Sequence, residues 1–130
     1  MSTALLCLLL AFILTHATKL PVALAMARQP GGYDNHFPRA QQAGLSGWGR
    51  RALASHQNAF EAFPGFAAGV LVAELSGADP VWAARLAVAF VVCRVAYTGL
   101  YLADVATVRS LVWTLGLVAT VGLLALPLVG

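Results

Sequence analysis

Four long apolar stretches divide the chain, and each has the length of a membrane-spanning helix. They cover residues 4–27, 51–75, 81–103 and 110–128. Because a spanning helix requires about 20 mostly apolar residues, the pattern predicts four spans. The last stretch carries no charge, whereas His16, Lys19 and Pro21 interrupt the first. The pattern therefore indicates an all-α fold, an integral membrane four-helix bundle.

The connectors predict how these helices are arranged. Residues 29–50 form the only long polar connector and are rich in Gly, Pro, Asn and Gln, which favours turns over a further span. Asp79 and Pro80 are typical of a helix cap followed by the first helical residue. Because the second and third connectors are short, consecutive helices are expected to run antiparallel in one up-and-down domain covering residues 1–130.

Composition agrees with a membrane protein and excludes several other classes. Of the 130 residues, 60% are hydrophobic and 10% are charged, and the mean hydropathy is +0.80, whereas soluble proteins carry about 25% charged residues. The net charge of +3 is spread along the chain, so no nucleic-acid-binding patch is expected. Cys7 and Cys93 lie in apolar stretches and do not indicate a disulfide framework. The three histidines, at positions 16, 36 and 56, show no metal-ligand spacing.

The distribution of arginine predicts the orientation in the membrane. The first connector and its flanks hold Arg28, Arg39, Arg50 and Arg51, and the third connector holds Arg109. Cytoplasmic loops carry an excess of Lys and Arg, so the first and third loops are expected to be cytoplasmic. No basic residue precedes the first apolar stretch, which argues against a cleaved signal peptide. The Arg-over-Lys, Ala- and Leu-rich composition points to a bacterial plasma membrane.

The second stretch contains polar residues whose placement inside a membrane costs free energy. Arg51, Ser55, Asn58, Glu61 and Gly65 are separated by steps of four, three, three and four, which places them on one helical face. Ionisable groups within a span are candidates for function by default, because they must face protein or water. The second helix is therefore predicted to turn a polar face toward a partner helix or a ligand.

A matching polar face is predicted on the third helix. Arg94, Tyr97, Tyr101 and Asp104 follow at steps of three, four and three, and the guanidinium of Arg94 is suited to a carboxylate. Arg109 stands at the start of the fourth stretch, where a cation beside a helix start favours an anion or a thiolate.

These residues also have a purely structural interpretation. Glu61 could pair with Arg94 and join two helices, and Asn58 could form an interhelical hydrogen bond of modest strength. Tyr97 and Tyr101 could anchor the helix at the membrane interface. Two polar faces at matched depth favour a binding site over this alternative.

Two segments carry a resemblance to the MAPEG family, the membrane-associated proteins of eicosanoid and glutathione metabolism. The first, "RALASHQNAFEAFPGFAAGVLVAEL", is similar to the family's second-helix signature. It has the signature's Arg, Asn, Glu and Pro at Arg51, Asn58, Glu61 and Pro64.

The second segment, "CRVAYTGLYLADVATVRSLVW", is similar to the family's passage from the third helix to the fourth. Its matching residues are Arg94, Tyr97, Tyr101, Arg109 and Ser110. The family's four-span plan covers nearly the whole chain.

The resemblance implies a homotrimer that binds glutathione as co-substrate between neighbouring subunits, toward the cytoplasm. By this resemblance, the second helix of one subunit supplies Arg51, Asn58 and Glu61. The third helix of its neighbour supplies Arg94, Tyr97 and Tyr101.

The resemblance also implies a reaction. Arg109 matches the family residue that lowers the pKa of the bound thiol, and the thiolate is the nucleophile. The partner substrate is then a hydrophobic small molecule, an electrophile or a hydroperoxide, that enters from the membrane lipid.

Two departures keep a second function open. Active eukaryotic members usually carry a second basic residue where this chain has Ala54, and often an aromatic residue where it has Ala62. Both changes are expected to weaken glutathione binding. The sequence therefore indicates a glutathione transferase or peroxidase, with a non-catalytic membrane binding or scaffold protein of the same fold as the alternative.

Overall fold

The structure is a computed structural model that describes residues 1–129, and over that range it is entirely helical. The predicted all-α fold class is therefore confirmed. Six helices follow one another along the chain: α1 (Thr3–Ala17), α2 (Lys19–Ala27), α3 (Pro38–Ala43), α4 (Gly47–Leu75), α5 (Pro80–Leu102) and α6 (Ala106–Val129).

The first apolar stretch forms two helices rather than one. α1 ends at Ala17, and a turn at Thr18 separates it from α2. Pro21 lacks a backbone N–H, and its ring crowds the carbonyl of the residue four positions earlier, which is Ala17. The Thr18 hydroxyl donates to the carbonyl of Thr15 at 2.6 Å, so the side chain supplies a hydrogen bond where the helical pattern is broken.

Helix boundaries depart from the apolar stretches at the polar ends. α4 begins at Gly47 and α6 at Ala106, four residues before the apolar runs that predicted them. The extra residues are helical but include Gly, Thr and Arg, so hydropathy alone does not mark them as parts of the spans. As a consequence, Arg109 lies inside the first turn of α6 rather than before it.

The long first connector is more ordered than its turn-rich sequence suggests. It contains α3, and the side chain of Gln41 makes three hydrogen bonds that order it. Gln41 Nε2 donates to the carbonyls of Gly32 at 2.9 Å and Met26 at 3.3 Å, while its Oε1 accepts from the backbone N–H of Asp34 at 2.9 Å. The end of α2 is thereby fixed against α3.

The start of α5 follows its sequence prediction. The Asp79 carboxylate accepts hydrogen bonds from the backbone N–H groups of Val81 at 2.8 Å and Trp82 at 3.1 Å, and Pro80 is the first helical residue. The carboxylate satisfies donors that the first helical turn leaves free.

The helices α4 and α5 form the centre of the molecule. α1 packs against both, and α6 packs against the same two, whereas α1 and α6 do not meet within residues 1–129. The Phe66 and Phe90 rings stack at the centre with centroids 3.9 Å apart and planes at 6°. The side chains around them are small or apolar: Ala4, Cys7, Ala11, Val70, Ala73, Ala83, Ala87, Ala119 and Leu123.

A glycine permits close approach of α4 and α6. A Cβ atom at Gly69 would lie 2.9 Å from the Cβ of Leu123. No ordinary side chain makes so short a contact, so this crossing requires a residue without a Cβ.

Three helical segments in the described chain are long and apolar enough to cross a membrane: Thr3–Ala27, α5 and α6. α4 has 29 residues and ample length, but its polar residues keep it outside that group. Large apolar side chains cover much of the outer surface, including Ile13, Val92, Val118 and Val121. Such a surface fits contact with lipid.

Candidate functional site

Two adjoining pockets open between α4, α5 and α6. The first, called here the tyrosine pocket, has a volume of about 240 Å³ and is lined by Asn58, Tyr97, Tyr101, Arg109, Ser110 and Trp113. The second, called here the apolar pocket, has a volume of about 190 Å³. Its lining residues are Asn58, Glu61, Ala62, Gly65, Phe90, Arg94, Val112, Trp113, Gly116, Leu117 and Thr120. Asn58 and Trp113 form the wall shared by both pockets.

Two arginines and two tyrosines form a continuous stacked series along these pockets. The guanidinium carbon of Arg94 lies 4.3 Å from the centroid of the Tyr97 ring, and that of Arg109 lies 4.2 Å from the Tyr101 ring. The two tyrosine rings meet edge to face, with centroids 5.6 Å apart. Helical spacing places Arg94, Tyr97 and Tyr101 on one face of α5, and α6 adds Arg109. Each cation–π contact contributes about 0.5–2 kcal/mol.

Glu61 and Arg94 do not form the direct pair considered from the sequence. Glu61 accepts a hydrogen bond from Asn58 Nδ2 at 3.4 Å. Arg94 stacks on Tyr97, and its Nη2 has no hydrogen-bond partner in the described chain. Glu61 is exposed, so its carboxylate is free to receive a cationic group.

Asn58 and Arg94 each turn an unsatisfied polar atom into the protein. The Oδ1 atom of Asn58 and the Nη2 atom of Arg94 are both buried, and neither has a hydrogen-bond partner among residues 1–129. Buried polar atoms normally find partners. One atom is an acceptor and the other a donor, and both have essentially no solvent-accessible surface.

The structure places six of the seven predicted site residues around the two pockets and sets Arg51 apart. Arg51 Nη2 donates to the carbonyl of Leu102 at 3.4 Å, where it satisfies a carbonyl at the end of α5. Ser55, on the same predicted face, is fully buried and donates to the hydroxyl of Thr98 at 3.4 Å. The N-terminal part of that face of α4 therefore packs against α5.

Trp113 is a site residue that the sequence interpretation missed. It lines both pockets. The signal was present, because Trp113 follows Arg109 by four positions and so shares its face of α6. Of the two departures from the family pattern, Ala62 lines the apolar pocket, whereas Ala54 lines neither pocket.

A separate groove of about 920 Å³ lies on the other side of α4, beneath α3. Lys19, Arg39, His56, Gln57 and Glu61 contribute its polar lining. Glu61 therefore faces both this groove and the apolar pocket. In the sequence, Lys19 lies in the first apolar stretch and His56 in the second, and spacing along the chain does not bring them together.

His56 is anchored by the break between α1 and α2. Its Nδ1 lies 2.8 Å from the Thr18 hydroxyl oxygen. That hydroxyl donates its proton to the carbonyl of Thr15, so the hydrogen bond to His56 requires the histidine Nδ1 to be the donor.

Neither a disulfide nor a metal site forms within the described residues. Cys7 is buried and Cys93 is half-buried, and both thiols are free. No group of three His, Cys, Asp or Glu side chains in residues 1–129 is placed to hold a metal ion.

Comparison with known families gives one match. The model of a family described as "MAPEG family" matches residues 3–129, nearly the whole chain. Neither a curated protein nor a solved structure matches the chain significantly.

Proposed function

The chain belongs to the MAPEG family, which includes glutathione transferases and peroxidases, and from that membership we propose that it is a membrane-bound glutathione transferase or peroxidase acting on hydrophobic electrophiles. The observation that carries the proposal is the tyrosine pocket, where Arg109, Tyr97, Tyr101 and Asn58 meet. A cation, two phenols and an amide around one cavity are suited to a thiol that must ionise.

Arg109 is the group that stabilises the thiolate. Its guanidinium carries a permanent charge, and an adjacent cation favours the ionised thiol over the neutral one. Stacking on Tyr101 at 4.2 Å fixes the guanidinium while leaving its N–H groups at the edge free to donate. Catalysis then comes from proximity and from electrostatic stabilisation, without a covalent enzyme intermediate.

Glu61, Asn58 and Arg94 hold the rest of the thiol ligand. The exposed carboxylate of Glu61 suits an ammonium group, and Arg94 suits a carboxylate or a carbonyl. Asn58 lines both pockets and contributes its amide group to their shared wall. Glutathione carries all of these groups, which is the support for naming it. Arg51, which binds the Leu102 carbonyl, is proposed to organise the end of α5.

The apolar pocket receives the second substrate. Phe90, Trp113 and Leu117 line it, and it shares the Asn58 and Trp113 wall with the tyrosine pocket. In a transfer reaction the thiolate sulfur bonds to an electrophilic carbon, and a leaving group departs or a double bond is consumed. In a peroxidase reaction the sulfur attacks the hydroperoxide, the O–O bond breaks to give an alcohol, and a second thiol reduces the sulfenic acid to a disulfide and water.

We further propose an antiparallel four-helix bundle in which α4 is the fourth spanning element. Contacts support this direction of the chain. Ser2 at the start of α1 hydrogen-bonds Glu74 at the end of α4. Phe66 of α4 stacks on Phe90 of α5, while Arg51, earlier in α4, binds Leu102, later in α5.

The proposed assembly is a homotrimer in a bacterial plasma membrane, with the first and third loops in the cytoplasm. Family membership supports an oligomer. Both pockets open on the outer surface between α4 and α6, so a neighbouring subunit that covered them would complete the glutathione site. The arginine-rich first connector and Arg109 lie on the side proposed to be cytoplasmic.

The test is direct binding of the thiol. The protein, purified in detergent, is titrated with glutathione up to millimolar concentration while the ultraviolet absorbance of the thiolate is followed. The expected result is a saturable thiolate signal at neutral pH. If glutathione binds by calorimetry without a thiolate signal, the protein binds the thiol but does not activate it.

That second outcome would favour a non-catalytic binding or scaffold protein of the same fold. Ala62 is the observation that favours it, because a small side chain lines the apolar pocket where active relatives often have an aromatic residue. The discriminating measurement is turnover with a panel of hydrophobic electrophiles and hydroperoxides.

A further inference from the structure

The buried guanidinium of Arg94 has one nitrogen whose partner must come from inside the protein. Arg94 is 6% exposed, and its Nη2 has essentially no solvent-accessible surface and no hydrogen-bond partner in the described chain. A buried donor on a charged group that stays unsatisfied destabilises the protein.

Arg94 also lines a second, much smaller cavity, between α1, α4 and α5. Its volume is about 10 Å³, and its polar lining consists of Thr15, Thr18, Arg94 and Thr98. A cavity of roughly 10–15 Å³ holds one water molecule and is too small for a polyatomic anion. Enclosed apolar cavities stay dry, whereas polar ones of this size hold water with two to four partners.

The hydroxyl groups of Thr15 and Thr98 already donate their protons to other acceptors. Thr15 donates to the carbonyl of Ala11 at 2.8 Å, and Thr98 donates to the carbonyl of Arg94 at 3.2 Å. Thr98 also accepts from Ser55. Each hydroxyl oxygen has two lone pairs, so Thr15 keeps both for a further donor and Thr98 keeps one.

The donors and acceptors therefore match a single water molecule. Arg94 Nη2 needs an acceptor, and the oxygens of Thr15 and Thr98 can each accept a proton. A water accepts from the first and donates to the other two, which gives Arg94 Nη2 the acceptor that it lacks.

We infer that one buried water binds between Arg94, Thr15 and Thr98, and that Thr15 is through it a positioning residue for the ligand site. Thr15 lies on α1 and lines neither the tyrosine pocket nor the apolar pocket. The water holds the Arg94 guanidinium against the Tyr97 ring and thereby fixes the donors that Arg94 presents to a ligand. The effect on ligand binding rests on the proposed function, whereas the water itself does not.

The first test is a high-resolution structure of the purified protein. The expected result is a solvent peak within hydrogen-bond distance of Arg94 Nη2 and the hydroxyls of Thr15 and Thr98. The same peak is expected to be lost in Thr15→Val, which keeps the volume but removes the hydroxyl. A wild-type map at that resolution with no such peak would overturn the inference, whatever the outcome for glutathione.

The second test measures glutathione affinity by calorimetry in three variants. Thr15→Val is expected to weaken binding about fivefold or more, since a charged donor loses its partner. Thr15→Ser keeps the hydroxyl and is expected to stay within about twofold of the wild type by the same reasoning. Thr114→Val is the matched control, because exposed Thr114 makes the same bond to the carbonyl four residues earlier, that of Ser110.

A purely structural role of Thr15 would lower thermal stability without this Ser-versus-Val difference in affinity, and equal affinities for Thr15→Val and wild type would contradict the positioning role. Thr98→Val replaces Thr15→Val if the latter does not fold. If wild-type protein binds no glutathione, the proposed function fails and the density test alone decides the inference.

Discussion

The guanidinium carbon of Arg109 lies 4.2 Å from the centroid of the Tyr101 ring, which joins the first turn of α6 to the last turn of α5. Only three residues connect the two helices, and one of them, Asp104, has a left-handed φ of 60°. The tight connection and the stacking contact together place a permanent positive charge at the edge of the tyrosine pocket.

Replacement of Tyr101 tests whether the ring positions Arg109. Tyr101→Phe keeps the aromatic face and is expected to bind glutathione within a few-fold of the wild type. Tyr101→Leu removes that face and is expected to weaken binding by about 0.5–2 kcal/mol, as measured by calorimetry. Equal affinities for the two variants would show that the ring does not act through Arg109.

Replacement of Arg109 tests thiolate formation. Arg109→Ala is expected to reduce the thiolate signal about tenfold or more, because a neighbouring cation shifts the pKa of an acid by about one unit or more. The matched control is Arg85→Ala, since Arg85 also stacks on an aromatic ring, with its guanidinium carbon 5.1 Å from the centroid of Trp82. An undiminished signal in Arg109→Ala would assign thiol activation to another residue.

Replacement of Glu61 separates ligand binding from helix association. Glu61→Leu is expected to abolish glutathione binding while insertion and assembly, measured by size-exclusion chromatography with light scattering, are unchanged. The physical reason is that Glu61 is exposed and bonds only Asn58 within the described chain. Glu74→Gln is the control at the C-terminal end of α4. Loss of assembly in Glu61→Leu would instead establish a structural role.

A substitution of Gly69 tests the packing of α4 on α6, and a substitution of Gly99 in α5 is its control. Gly69→Ala is expected to destabilise the protein by about 1–3 kcal/mol, because the new Cβ would lie 2.9 Å from that of Leu123. Gly99→Ala is expected to stabilise it by about 0.5–1 kcal/mol, since nothing lies within 4 Å of the added carbon. Unfolding in detergent measures both, and a stable Gly69→Ala would require the helices to lie further apart.

Labelling of single cysteines tests the proposed orientation. In a protein with Cys7→Ala and Cys93→Ala, a cysteine at Asn35 or Thr107 is expected to react only with a reagent that reaches the cytoplasmic side. A cysteine at Ser76 is expected to react from the opposite side. All three positions are exposed. Labelling of Asn35 and Ser76 from the same side would exclude the membrane span proposed for α4.

The sequence was sufficient to predict the parts of the fold that follow from local chemistry. Apolar stretches located the long helices, and Asp79 with Pro80 located the start of α5. The break at Thr18 was harder to predict, because an apolar run is equally compatible with one helix or two. α3 was missed because its six residues are too few to show an apolar period.

The grouping of candidate site residues could be predicted where helical spacing fixes a face, as for Arg94, Tyr97 and Tyr101. It could not be predicted where position depends on packing between helices. Arg51 shares a face with Asn58, yet it binds the end of α5 because that end comes within its reach. The partners of Asn58 and Arg94 are likewise a matter of tertiary structure, which spacing within one helix does not determine.

Because Trp113 forms part of the wall shared by both pockets, its fluorescence can report the binding of a ligand there. The two other tryptophans, Trp48 and Trp82, lie outside the pockets and can be replaced by phenylalanine. The remaining indole of Trp113 would then change its emission when a ligand enters either pocket. The order in which thiol and electrophile bind can therefore be followed in real time without any attached dye.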